Sequence, residues 1–296
     1  MSLIISNMKR IKYLDKEYNS HKRSFSGEIK KICLSNMHIS KIVSMQDTSD
    51  LCELDLSFNK IIKIENIDIL VNLETLWLND NLIIKIENMN SLKNLKIFNA
   101  SNNIIPRIEG LTELVKLENL RLSNNRIDKI EGLGTLIQLK NLDLSYNIIY
   151  VIEDIYNLHN LKNLNLTGNY IQKIEGLDNL CMLERLYLKK NRIEKIEQLD
   201  FLLNLIHLSL ESNKISKIEG LDNLVNLTYL NLNDNLIIRL EGLQSLEKLT
   251  TLFLIKNKIE SMMEPEQIIS FKNLKIFNFD AKNIHPKILK FCQLCK

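Results

Sequence analysis

Ten leucines, running from Leu51, Leu73 and Leu95 to Leu249, fall at an unbroken spacing of 22 residues. Each opens the phrase leucine-x-x-leucine-x-leucine-x-x-asparagine, as in 117–125 (LENLRLSNN) and 161–169 (LKNLNLTGN), with Phe98 and Ala100 in the second and third leucine places of the Leu95 copy. Ile29 opens a weaker copy with Met37 in the asparagine place, and Leu274 opens a last, altered one. Such a chain cannot fold around one private core. A single unit is too short to bury its own apolar face, so neighbours must stack into an array.

Residues 117–138 (LENLRLSNNRIDKIEGLGTLIQ) show how a unit works. Leu117, Leu120 and Leu122 sit among polar residues in the period of two that predicts a strand. Ile127, Ile130, Leu133 and Leu136 follow at spacings of three, which predict a tight 3₁₀-like or short-helix segment rather than a long helix. The expected fold is an α/β solenoid, a horseshoe with a parallel sheet on its concave side. Asparagine at position nine (Asn125 here) can donate and accept, and is predicted to satisfy backbone groups where the strand turns away. A glutamate column (Glu65, Glu87, Glu109 and onward) lies two residues after a column of cations (Lys63, Lys85, Arg107). Their opposite signs make a solvated edge, not a set of catalytic carboxylate pairs.

The array is expected over 29–273 as about eleven repeats, with a last strand and cap in 274–296. Residues 1–28 lack the phrase and read as a partly ordered lead-in or cap. The segment 260–271 is three residues longer than its counterparts, and Glu264-Pro265-Glu266 is predicted to begin a short helix.

Chemistry is sparse. There is no glycine-rich phosphate loop, no nucleophile elbow and no pair of histidines at metal-binding spacing. Cys292 and Cys295 form a lone C-x-x-C without the two further ligands that zinc requires. No catalytic residue, cofactor or metal is expected. Lys and Arg total 39 against 36 acids, interleaved along the chain, so a nucleic-acid partner is not expected. The opening MSLIIS has too short an apolar run for a signal or membrane span, and no membrane is expected. Five cysteines, odd in number and not framing the repeat ends, point to a reduced, intracellular setting in nucleus, cytoplasm or both. A monomer is expected before any partner binds.

The binding face is expected on the concave side, where eleven repeats at about 4.8 Å give a surface roughly 50 Å long. Position five runs down its centre and carries Asp55, Trp77, Arg121, Asp143, Tyr187 and Phe253. Trp77 is the one tryptophan of the chain, and it lies outside the core pattern. Aromatics and arginines dominate interface hot spots, so these six, with Arg185 and Tyr229, are the candidate partner-binding residues. Phe58 and Tyr146 flank the same column, and Arg185, Lys189 and Lys190 surround Tyr187 as a local basic patch. The competing expectation is a scatter of ordinary surface residues in which Arg121 simply pairs with Asp143 across adjacent strands.

The phrase and its period resemble leucine-rich repeats. The unit N-x-I-x-x-I-E-G-L, as in 125–133 (NRIDKIEGL) and 213–221 (NKISKIEGL), is similar to one subclass of them. Over about residues 29–280 the chain looks like the leucine-rich-repeat regulatory subunit of protein phosphatase-1. That resemblance implies an intracellular, often nuclear protein that holds the phosphatase catalytic subunit against its concave face and has no active site of its own. It also implies contacts from acidic and large aromatic residues at position five, types that Asp143 and Phe253 keep. Several structural scaffold proteins of cilia and centrosomes carry the same unit, which leaves a scaffold as the alternative.

Overall fold

Each phrase becomes one short strand whose middle residue points into the core. In the structure, a computed structural model, residues 30–43, 48–259 and 273–280 are described. The expectations for residues 1–28, for a helix within 260–271, for the cap after 280 and for Cys292 and Cys295 lie outside them. The strands are Lys31–Cys33 (β1), Glu53–Asp55 (β2), Thr75–Trp77 (β3), Ile97–Asn99 (β4), Asn119–Arg121 (β5) and Asn141–Asp143 (β6). They continue as Asn163–Asn165 (β7), Arg185–Tyr187 (β8), His207–Ser209 (β9), Tyr229–Asn231 (β10), Thr251–Leu254 (β11) and Ile276–Phe279 (β12).

All twelve form one parallel sheet in sequence order. The register places equivalent positions opposite each other, Leu120 on Leu142 and Arg121 on Asp143. Ile276 pairs with Thr251 and Asn278 with Phe253, so the sheet carries on across the three extra residues before the last strand.

Beyond the strands the spacing of three survives, but not as helix. Leu136 N–H donates to Leu133 O and Leu139 N–H to Leu136 O, both at 2.9 Å, so each turn closes where the previous one ends. A 3₁₀ helix needs closures at successive residues. Here they recur only at the inward leucines, and the convex side among the described residues is a chain of single turns. Ile127, Ile130, Leu133 and Leu136 are fully buried, as their spacing requires.

Position nine plays its expected structural part. Asn147 Nδ2 donates to Leu122 O and Leu144 O, each at 3.0 Å. Its Oδ1 accepts the Ile127 N–H at 3.0 Å, which ties two repeats together through one buried amide. A second set of amides, at the end of the unit, was not anticipated. Asn94, Asn160, Asn204 and Asn226 each donate to a backbone carbonyl of the preceding repeat, on Val71, Ile137, Cys181 and Leu203.

Two backbone sites per repeat are left-handed. Position eight is one, with Phe58, Asp80 and Tyr146 at φ of 54°, 57° and 55°. Position sixteen is the other, the glycine of the I-E-G-L unit; at Gly220 (φ 67°) a Cβ would lie 2.5 Å from Ile196 O. Where that place holds Asn66 or Asn88, the side-chain amide donates to the carbonyl of Ile42 or Ile64. The glutamate edge is solvated as expected, with Lys217–Glu219 paired within a repeat at 3.3 Å and Lys85–Glu109 between repeats at 4.0 Å.

Candidate partner-binding surface

Strand alternation presents positions three and five of every repeat on the concave face, with position four buried between them. All eight candidates lie on that face in one sheet, Asp55 on β2, Trp77 on β3, Arg121 on β5, Asp143 on β6, Arg185 and Tyr187 on β8, Tyr229 on β10 and Phe253 on β11. Phe58 and Tyr146 do not join them. They stand past the strand ends at the left-handed turn.

Position five has a local backbone task that its composition conceals. At Asp55, Asn99, Asp143, Asn165 and Asn231 the side-chain oxygen accepts the N–H two residues on. Asp55 accepts from Ser57 at 2.8 Å, Asn99 from Ser101 at 3.0 Å, Asp143 from Ser145 at 3.0 Å and Asn231 from Asn233 at 3.0 Å. This closes the turn that leaves the strand. Asp55 and Asp143 also accept the hydroxyls of Ser57 and Ser145 through the same Oδ1. Their acidity is therefore partly committed to the scaffold.

Trp77, Arg121 and Phe253 cannot accept such a bond, and Tyr187 is too long to make it. At the Trp77, Arg121 and Tyr187 repeats the chain forgoes a hydrogen bond worth about 0.5–1.5 kcal/mol; at the Phe253 repeat the Ile255 N–H donates to Asn233 Oδ1 instead. All four carry large, partly exposed side chains. Arg121 is exposed and forms no ion pair with Asp143, although the strands set the two side by side. The competing expectation of a cross-strand pair is thus not met, because Asp143 turns to its own serine.

The expected basic patch around Tyr187 is corrected in the same way. Arg185 lies 3.4 Å from Glu184, and Lys189 lies 2.9 Å from Glu211. Lys189 is thus paired, while Arg185 shares Glu184 with Lys162, and Lys190 has no ion pair within 4.0 Å among the described residues. The Lys162 ammonium, hydrogen-bonded to Glu184, also holds that carboxyl below its usual range.

Instead of a charge patch, the C-terminal half carries an aromatic ladder. Tyr187, His207, Tyr229 and Phe253 follow one another over four strands, with ring centroids 4.8, 4.0 and 5.7 Å apart. Only the middle pair, His207 and Tyr229, stacks face to face; Tyr187 and Phe253 tilt against it by 46° and 60°. Burial, with a smaller push from Arg185, lowers the His207 pKa to about 4. Burial also raises the Tyr229 phenol.

The N-terminal side of this ladder is an amide ladder at position three. Asn141 donates to Asn119, Asn163 to Asn141, and Arg185 Nη1 to Asn163. Asn141 and Asn163 line an open trough with Arg121 and Asp143. Sequence reasoning missed His207 and these asparagines. His207 was weighed only for metal spacing, yet its place at position three, 22 residues before Tyr229, was a readable signal. Among the described residues no three His, Cys, Asp or Glu side chains are grouped to hold a metal, and no helix is long and apolar enough to cross a membrane.

A model of the leucine rich repeat matches residues 181–237, and a model of paired leucine rich repeats matches 93–135 and 137–179. No curated protein matches the chain. Among solved structures it is similar to the functional domain of InlJ from Listeria monocytogenes, with a TM-score of 0.73 and 23% identity. That alignment covers 85% of this chain and 53% of the InlJ domain, so the chain spans about half of that domain's length. The internalin InlF of the same organism aligns with a TM-score of 0.67 and 22% identity, over 86% of this chain and 88% of that one. Its internalin C2 aligns with a TM-score of 0.60 at 30% identity, over 62% of this chain and 81% of that one.

Proposed function

Because the chain belongs to the leucine-rich-repeat proteins, whose domains bind protein partners on the concave face, we propose that it is a non-catalytic binding subunit. Trp77, Arg121, Tyr187 and Phe253 are its main contacts. One observation carries this assignment. At position five the scaffold favours a short amide or carboxylate that closes the turn, and at these four repeats it holds a large side chain that cannot. Asp143, Asp55, Arg185 and Tyr229 complete the surface around them.

Within that class we assign the partner to a protein phosphatase-1 catalytic subunit, regulated or assembled on the concave face inside the cell. The support is the subclass unit N-x-I-x-x-I-E-G-L repeated along the array, with an acid at Asp143 and an aromatic ring at Phe253.

The test is affinity capture from the protein's own cell extract at moderate salt, read by mass spectrometry. Near-stoichiometric phosphatase-1 catalytic subunit, lost when Trp77, Arg121, Tyr187 and Phe253 are all changed to alanine, is the expected result. Tubulin-associated or other structural proteins, captured through the same four residues, would keep the concave site and move the assignment to a scaffold.

A further inference from the structure

Between Trp77 and Tyr187 the concave face changes character. Over β4 to β7 its position three is asparagine three times, and its position seven is serine or threonine from Ser101 to Thr167. Ile97 is the one apolar side chain at positions three, five and seven of these four strands. Their only charges are Arg121 and Asp143, opposite in sign on adjacent strands. At position two, just before the strands, the charges are paired, Lys96 with Glu74, Lys140 with Glu118 and Lys162 with Glu184. At position eight, just past them, Asn102, Asn124, Tyr146 and Gly168 carry none. This stretch has neither the apolar area nor the net charge by which the side chains of a folded partner are held.

What it has is spare hydrogen-bonding capacity of both kinds. Asn141 and Asn163 each donate one amide hydrogen along the ladder and keep a second. The Asn165 side chain accepts the Thr167 N–H, and its own amide hydrogens have no acceptor among the described residues; nor has the Arg121 guanidinium. Asp143 uses Oδ1 for both of its bonds, so Oδ2 has no donor among the described residues. All five residues line one open trough. Donors and an acceptor in a groove without net charge match the peptide group, which presents both. In a folded surface most peptide groups are already paired, whereas an extended segment leaves them free.

We infer that the trough holds an extended, unfolded segment of the protein partner by its main chain, laid across the strands from Trp77 to Tyr187. The asparagine amides and Arg121 donate to its carbonyls, and Asp143 accepts one of its N–H groups. Trp77 and Tyr187 take side chains at its two ends. The five strand steps from β3 to β8, at about 4.8 Å each, make about 24 Å, the length of roughly seven extended residues. The inference rests on the concave binding site but not on the phosphatase assignment, because an unfolded segment of any protein offers the same groups.

The experiment selects a display library of random 12-residue peptides on the whole chain and measures the enriched peptides by fluorescence anisotropy. Each is also made with an ester in place of a central peptide bond, which removes an N–H and weakens the carbonyl as an acceptor. Expected are peptides with large apolar residues about seven places apart and no fixed residue between them. Their affinity should fall at least fivefold in the ester form, in Asn141→Ala with Asn163→Ala, in Arg121→Ala, and in Trp77→Ala with Tyr187→Ala. Circular dichroism checks the fold of the asparagine double variant, and the ester peptides test the unaltered chain. Main-chain recognition is overturned if the esters bind as their parents do, or if the asparagine and Arg121 variants bind as the parent chain does. Loss in Trp77→Ala with Tyr187→Ala alone would then keep the concave site, whereas binding untouched by every substitution would remove that site as well. An empty selection, or an oligosaccharide array bound through Asn141 and Asn163 in place of peptides, also overturns the inference.

Discussion

His207 lies flat against Tyr229, with ring centroids 4.0 Å apart and planes 7° from parallel. Tyr187, on the preceding strand, contacts it at 4.8 Å with its plane tilted by 46°, so the half-buried imidazole touches two rings. Desolvation first, and Arg185 second, bring its pKa to about 4 from 6.5. The folded state therefore binds fewer protons than the unfolded chain between those values, and stability falls as pH drops from 6.5 towards 4. Solvent screening of the half-exposed ring limits the loss to about 1–2 kcal/mol. Urea denaturation across pH should show that slope, His207→Phe should remove it, and the His207 Hε1 resonance should titrate near 4.

Asn147→Ala should destabilise the array far more than a surface change. It strips the partner from the Ile127 N–H and one of two donors from Leu122 O and Leu144 O, which keep the amides of Asn125 and Asn169. An unsatisfied buried N–H costs about 1–3 kcal/mol, so a loss of about 2–3 kcal/mol is expected once the two weakened carbonyls are added. Because coupling in a solenoid passes only between neighbours, denaturation should also broaden or split into two transitions.

Gly220→Ala should cost about 2–3 kcal/mol, from the left-handed backbone and the approach of a Cβ to Ile196 O at 2.5 Å. Gly220→Asn should cost less, since Asn66 and Asn88 hold the same place by donating to a neighbouring carbonyl. Thermal unfolding of the two variants side by side checks the order.

Asp143 can be separated into its two roles. Asp143→Asn keeps an acceptor for the Ser145 N–H, as Asn99 does for Ser101, and should leave stability unchanged. Asp143→Ala loses that bond and should cost about 1 kcal/mol. If the carboxylate contributes to partner binding, both variants weaken the affinity equally; equal affinity in Asp143→Asn and the parent would remove Asp143 from the contact set.

Much of the scaffold was legible because the repeat displays the same solution ten times. The inward column Leu120, Ile127, Ile130, Leu133 and the amide of Asn125 follow from periodicity and hydrogen-bonding capacity alone. The convex side was less so: spacings of three suit both a 3₁₀ helix and separate turns, and only the hydrogen bonds of Leu136 and Leu139 distinguish them. At the candidate surface, position five was identifiable, but its ordinary task was not. The difference between Asn99, which closes a turn, and Trp77, which cannot, depends on where the N–H of Ser101 points.

By itself, then, the sequence determined the stacking, the parallel register and the outward rows, because 22-residue recurrence forces equivalent positions to meet across neighbouring strands. Tertiary structure decided which outward residues are already spoken for. Asp143 and Lys189 turn to Ser145 and Glu211, while Arg121 stays unpaired and four rings close into a ladder. Those choices rest on distances of a few ångströms between side chains of adjacent repeats, and a one-dimensional pattern carries no such distances.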